Sequence, residues 1–132
     1  LYFATHGLLP NELKCQSEPG LVLTPPAETA TERALDGLLE ANEVASLSLN
    51  ADLVVLSACN TAAGGGGFGG EALSGLSEAF FFAGARNLVV THWQVPSAAT
   101  TRLMTGMFGG IGAKPPADAL RTAQLALASD PK

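Results

Sequence analysis

The sequence predicts an α/β fold with a largely parallel sheet, and two observations carry this prediction. Residues 53–56 and 88–90 are apolar at every position, which is typical of strands covered on both faces. Between them, residues 71–83 repeat apolar side chains at the i, i+3, i+7 spacing of an amphipathic helix. Strands that alternate with helices in this way pair in parallel.

Five extended segments are predicted, and prolines and glycines separate the early ones. In chain order they are 1–5, 20–24, 38–39, 52–57 and 87–91. We expect the first strand to stop at His6-Gly7 and enter a loop. Residues 11–20, 27–33 and 58–70 are predicted to be loops, and Asp36-Gly37 a turn.

Four helices are predicted from apolar periodicity and end signals. They cover 41–47, 71–83 (closed by Gly84), the segment from Pro96-Ser97 to Gly109-Gly110, and the segment that begins at Pro115-Pro116. The side chains expected to face inward are Val44 and Leu47; Leu73, Leu76, Phe80 and Ala83; Leu103, Met104, Met107, Phe108 and Ile111; and Leu120, Ala123 and Leu127.

Composition excludes several classes of protein. Charged residues make up 14% and apolar residues 47% of the 132 residues, so the chain is not intrinsically disordered. The net charge of −5 and the lack of a basic run argue against nucleic acid as a partner. The longest apolar stretch, 79–90, contains Arg86 and is shorter than the ~20 residues of a membrane span, so no membrane partner is expected. Two cysteines make no disulfide scaffold, which favours a reducing cytoplasm. Because the chain begins without Met, we expect it to be part of a longer protein.

Reactive side chains follow three predicted strands. His6 follows the first, Cys59 the fourth and His92-Trp93 the fifth. The carboxyl ends of parallel strands meet at one edge, where α/β folds present their ligands and catalytic groups. Cys59 also follows His6 at an interval close to the roughly 50 residues seen in caspases. This pattern predicts a nucleophilic thiol with an imidazole base.

Backbone amides near this pair complete the hypothesis. Gly7 leaves room for a carbonyl group, and its amide with that of Cys59 would form an oxyanion hole. Trp93 is expected to line a pocket, while His92 is expected to be structural. The alternative is that Cys59 is a buried apolar residue and His6 an ordinary loop residue.

The glycine-rich loop at 64–69 suggests a second kind of site. It contains G-x-G-x-x-G between a strand and a helix, but the acidic residue required at the end of the next strand is replaced by Thr91 and His92. We therefore expect a loop beside the site, with nucleotide binding as an alternative. Cys15 lies in a polar loop without zinc-type spacing to other ligands, so neither a metal nor any other cofactor is expected.

A series of short motifs runs through the chain in a specific order. They are Ala-Thr-His-Gly at 4–7, Asp-Leu-Val-Val-Leu-Ser-Ala-Cys-Asn-Thr at 52–61, Gly-Glu-Ala-Leu-Ser-Gly-Leu at 70–76, Ala-Phe at 79–80, Ala-Gly-Ala-Arg at 83–86, Trp93 with Val95, and Ala-Leu-Arg-Thr-Ala-Gln at 119–124. Together they resemble the CHAT domain, a family related to caspases and separases and often fused to tetratricopeptide repeats in bacteria.

The resemblance implies a caspase-like three-layer α/β/α fold, with residues 1–132 forming a partial CHAT domain truncated at both ends. It implies a His6/Cys59 dyad that cleaves peptide bonds of a protein substrate through a thioester. A parent chain carrying tetratricopeptide repeats is a further implication.

Two departures from the family pattern bear on specificity. Asn60 stands where family members often carry Glu, and Pro96 and Ser97 stand where they often carry Asp. The usual carboxylate for a basic P1 side chain is therefore missing, with Glu71 as a substitute. The departures also support an alternative function, a catalytically inactive interaction or scaffold module in a bacterial signalling protein.

Overall fold

The computed structural model describes residues 1–25, 36–57, 69–91 and 96–130, with the backbone alone at 69–74. The chain divides into two compact units, Leu1–Gln94 and Val95–Lys132. In chain order the elements are β1 (Tyr2–Phe3), β2 (His6–Leu8), β3 (Gly20–Val22), β4 (Leu38–Glu40), α1 (Ala41–Ser46), β5 (Val54–Leu56), α2 (Gly69–Phe82), β6 (Leu88–Val90), α3 (Ser97–Gly110) and α4 (Pro116–Ser129).

The first unit contains the predicted parallel sheet, in the order β1-β5-β6. All three residues of the central strand β5 are buried, as its apolar run predicted. Val55 pairs with Tyr2 of β1 on one side and with Val89 of β6 on the other. The α/β class and the parallel sheet are therefore confirmed.

A second sheet in the same unit was not predicted. Strands β2, β3 and β4 form an antiparallel sheet in that order. Its strands have three residues each, too few for an alternating pattern to stand out from the surrounding turns. The sheet places His6 in a strand, although the sequence predicted that the chain would enter a loop there.

One hydrophobic core joins the two sheets of the first unit. Leu21 of β3 is buried in the same cluster as Val54 and Leu56 of β5. Helix α1 contributes Val44 to this cluster, and α2 contributes a larger group of side chains, namely Leu76, Ala79, Phe80 and Ala83. The burial predicted for Val44, Leu76, Phe80 and Ala83 is thus confirmed. Leu47 is 42% exposed and its predicted burial is wrong, and the side chain of Leu73 lies outside the described residues.

Gly84 ends α2, as the sequence predicted. It has φ = +105°, a conformation that glycine adopts without strain. The amide of Ala85 donates to Phe80 O at 3.0 Å, and the amide of Gly84 donates to Phe81 O at 3.0 Å. This pair of bonds is a Schellman motif, which satisfies carbonyl groups at the helix end.

The second unit consists mainly of the antiparallel helices α3 and α4. A Cβ atom built on Gly106 would lie 3.2 Å from Cβ of Ala123, and one on Gly110 would lie 3.3 Å from Cβ of Ala119. The two helices therefore approach each other through small residues. Met107 is fully buried as predicted, whereas Phe108 is 43% exposed and its predicted burial is wrong.

Among the described helices, none combines the length and apolar character that crossing a bilayer requires.

Candidate functional site

The carboxyl ends of the three parallel strands lie side by side. Phe3 of β1 pairs with Leu56 of β5, and Leu56 pairs with Val90 of β6. The amide of Ser57 donates to Phe3 O at 2.8 Å, so the contact between the first two strands continues one residue beyond β5. The predicted edge of the sheet is therefore present.

His6 lies three residues beyond Phe3 and begins β2. It pairs with Val22 of β3, and its side chain is exposed at the surface. His6 thus follows the sheet edge as predicted, but the antiparallel partner strand holds its backbone in an extended conformation.

The backbone of Gly7 points away from β3. On the far side of β3, the amide of Leu23 donates to Gly37 O at 2.6 Å, so Leu23 directs its polar groups toward β4. Hydrogen-bonding direction alternates along an antiparallel strand, so Val22 directs its groups toward β2 and its partner His6. The next residue, Gly7, therefore directs its amide and carbonyl to the outer side of β2. Gly7 is also buried.

Thr5 connects the two sheets and was not singled out from the sequence. Its hydroxyl donates a hydrogen bond to Val22 O in β3. Ala4 and Thr5 are the two residues between β1 and β2, so this bond holds the connection between them. A threonine beside a histidine carries no sequence signal of such a bond, because its acceptor lies 17 residues away.

Cys59, the predicted nucleophile, lies outside the described residues. The described chain approaches it through Leu56 and Ser57, both anchored beside β1. Asn60, His92 and Trp93 also lie outside the described residues. The dyad and the pocket assigned to these residues remain predictions.

The start of α2 differs from the prediction. The glycine-rich loop was expected to extend through residue 70, but α2 begins at Gly69. Glu71 is in its first turn, with its backbone alone described. At α3, which follows β6, Pro96 is the N-cap and Ser97 is the first helical residue.

Cys15 is a free, exposed thiol in the loop between β2 and β3. It adopts φ = +70°, and the loop around it closes through the amide of Asn11, which donates to Gln16 O at 2.8 Å. It is the free cysteine of the described residues, and its exposed thiol is accessible to a nonspecific reagent. Any labelling experiment on Cys59 therefore has to account for it.

No candidate metal centre occurs in the described parts of the chain, where no three His, Cys, Asp or Glu side chains come together. An open groove of about 360 Å³ lies in the second unit, between α3 and α4. Arg102 and Asp130 form an ion pair beside it at 3.2 Å. The groove contains none of the predicted site residues.

Comparison with known families gives a match over the whole chain. The family model of the CHAT domain matches residues 1–132, and this family is generally linked to caspase-like peptidases. No curated protein matches the chain.

Proposed function

The chain belongs to the CHAT domain family, and from that premise we propose that it is a cysteine endopeptidase module in which Cys59 and His6 cleave peptide bonds of a protein substrate. Among the site residues that the sequence predicted, His6 and Gly7 are described together with their surroundings. Their geometry supports the proposal in two ways.

The direct pairing of Phe3 with Leu56 is the observation that carries the proposal. Three residues lead from Phe3 to His6, and three lead from Leu56 to Cys59. An extended chain spans at most ~3.6 Å per residue, so each segment reaches no more than about 11 Å beyond its strand. Neighbouring strands lie about 4.8 Å apart. Segments this short, which start from adjacent strands, permit the imidazole and the thiol to meet at the edge of the sheet.

The direction of the Gly7 backbone gives independent support. An oxyanion hole needs amide donors that are not used by a β-ladder. Strand alternation turns the Gly7 amide away from β3, so the ladder with β3 leaves this donor unused. The amide of Cys59 would be the second donor.

In the proposed reaction, His6 takes the proton of the Cys59 thiol, and the sulfur bonds to the scissile carbonyl carbon. The oxygen gains negative charge and is stabilised by the amides of Gly7 and Cys59. The C–N bond then breaks, His6 protonates the leaving amine, and a thioester remains. Water, deprotonated by His6, hydrolyses the thioester, which releases the acid and restores the thiol.

The proposed substrate is a protein, bound with Asn60, Glu71 and Trp93 near its P1 residue. Pro96 and Ser97 supply no carboxylate, so Glu71 is the acidic group proposed for a basic P1 side chain. The proposed parent chain carries tetratricopeptide repeats and functions in the bacterial cytoplasm.

The test is covalent labelling with a set of peptidyl acyloxymethyl ketones that differ at P1. We expect the Cys15→Ala variant to be labelled like the unsubstituted chain and the Cys59→Ala variant to lose the label. We expect His6→Ala to slow labelling by about 10²- to 10⁴-fold, the usual contribution of a general base. Equal labelling of both cysteine variants, or an unchanged rate in His6→Ala, would contradict the proposal.

The second candidate is an interaction module without catalytic activity, favoured by Asn60, Pro96 and Ser97 at positions where the family often carries acids. It predicts that a bound partner protein is retained by both the Cys59→Ala and His6→Ala variants, with no peptide probe reacting at Cys59.

A further inference from the structure

We infer that Thr5 is a positioning residue for His6, because its hydroxyl holds the connection between the two sheets against Val22 of β3. The inference rests on the proposed function, in which His6 is the base. Thr5 would not touch the substrate. It would act by fixing where the imidazole stands relative to the parallel sheet.

The connection between the sheets is short and bound at both ends. At one end, Phe3 belongs to β1 and accepts the hydrogen bond from Ser57, on the segment that leads to Cys59. At the other end, His6 belongs to β2 and pairs with Val22. Ala4 and Thr5 alone separate these two strands. The torsion angles of two residues therefore set the position of His6 relative to the strand that precedes Cys59.

The Thr5 hydroxyl restricts those torsion angles. It donates to Val22 O, and strand alternation directs the amide of His6 at the same carbonyl group. The residue before His6 and His6 itself are thus held by one acceptor on β3. Thr5 is half-buried while Ala4 and His6 are exposed, so this part-buried bond lies in the least exposed part of the connection.

The Thr5 hydroxyl bonds to a different element of the fold, which distinguishes it from threonine hydroxyls that bond within α3. Thr101 Oγ1 likewise donates to a backbone carbonyl, that of Ser97, at 2.9 Å. That bond lies within one helix of the second unit and connects no two elements. Thr101→Val is therefore a matched control, because it deletes a hydroxyl-to-carbonyl bond of the same kind.

The experiment compares Thr5→Val, Thr5→Ser and Thr101→Val in a Cys15→Ser background. The readouts are the rate of Cys59 labelling by a peptidyl acyloxymethyl ketone across a range of pH, and the folded fraction by circular dichroism. A small displacement of a catalytic group can cost up to ~100-fold in rate, so we expect Thr5→Val to slow labelling by about 10- to 100-fold at an unchanged folded fraction. Thr5→Ser keeps the hydroxyl and should restore the rate, and Thr101→Val should leave it unchanged.

Several results would overturn the inference. One is a normal rate of Cys59 labelling in Thr5→Val. Another is an equal loss of labelling rate in Thr5→Val and Thr5→Ser, and a third is a loss of labelling rate that only follows the unfolded fraction of the protein. If Thr5→Val does not fold, Thr5→Ala is measured instead, because its side chain adds no volume. Unfolding of both variants would show that the hydroxyl group is required for folding, and the positioning role for His6 would be refuted. His6→Ala separates this failure from that of the proposed function. A normal rate in His6→Ala refutes the dyad, whereas a slow His6→Ala with a normal Thr5→Val refutes the role of Thr5 alone.

Discussion

The side chains that pack inside each of the two units differ greatly in size. In the first unit, the fully buried side chains include Phe80, Leu21, Leu76, Val44 and Val54. In the second unit, the helices α3 and α4 meet through glycine and alanine, so closely that a Cβ added to either facing glycine would lie 3.2 or 3.3 Å from an alanine Cβ.

This difference indicates which change of side-chain volume should be costly at each place, namely truncation at the large buried side chains of the first unit and enlargement at the glycines where α3 meets α4. Large apolar side chains stabilise by the area that they remove from water, so truncating one leaves a cavity. Small residues in a helix contact stabilise by allowing close approach, so enlarging one forces the helices apart. The catalytic pair and the oxyanion and pocket residues predicted from the sequence all fall within the first unit, so the site depends on the type of core that is sensitive to truncation.

The largest expected effect comes from truncation in the first core. Phe80 is fully buried, and its ring lies against that of Phe3 at 5.6 Å between centroids. We expect Phe80→Ala to lower the free energy of unfolding by about 3–5 kcal/mol in urea denaturation. Phe82 lies on the same helix and is 82% exposed, so Phe82→Ala should change the free energy of unfolding by no more than about 0.5 kcal/mol. Similar losses in the two variants would refute the division between buried core and exposed surface.

A smaller loss of stability is expected when a side chain is added at Gly84 of the first unit. Gly84 has φ = +105°, and a Cβ built on it would collide with the carbonyl oxygen of Leu49. Gly84→Ala should therefore cost about 2–4 kcal/mol of unfolding free energy, from the left-handed conformation and the collision together. A Cβ built on Gly75, within α2, would meet Pro19 Cγ at 3.7 Å, and among the described residues outside its own helix backbone no atom would lie closer. Gly75→Ala should stabilise by up to about 1 kcal/mol through helix propensity, and a stabilising Gly84→Ala would show that the turn is not as described.

The smallest effect is expected from added volume in the second unit. Gly106→Val should lower the stability of the contact between α3 and α4 by about 1–3 kcal/mol, because the valine side chain would displace Ala123. The loss is measured as faster hydrogen exchange of the α3 amides. A Cβ on Gly109 would meet no atom of the described residues within 4 Å outside the backbone of its own helix, so Gly109→Ala should slow exchange in the same helix. If Gly106→Val exchanged no faster than the unsubstituted chain, close packing of α3 on α4 would be excluded.

Sequence patterns located most helices and the parallel strands, because their signals are local. The apolar run of β5, the periodicity of α2 and the left-handed glycine at Gly84 each depend on residues within a few positions of one another. Burial was less predictable at the margins of helices. Leu47 and Phe108 continue an apolar face along the chain, yet both are exposed, because an apolar side chain is buried only where a neighbouring element covers it.

For the candidate site, the described residues test one part of the prediction. The shared edge of the parallel strands is confirmed, whereas the dyad at that edge is still a prediction because Cys59 lies outside the described residues. The bond from Thr5 to Val22 could not be predicted, since it depends on which strand packs beside β2.

The amino-acid sequence alone determined the helices and strands that a short-range apolar pattern predicts. It also contains the motifs that assign the chain to the CHAT family. Packing in three dimensions decided that the His6 segment is an antiparallel strand, that Gly7 turns its amide outward, and that glycines bring α3 against α4. The physical reason is distance along the chain. A hydrogen-bond ladder or a helix contact is completed by residues many positions away, and no local pattern specifies which of them will be there.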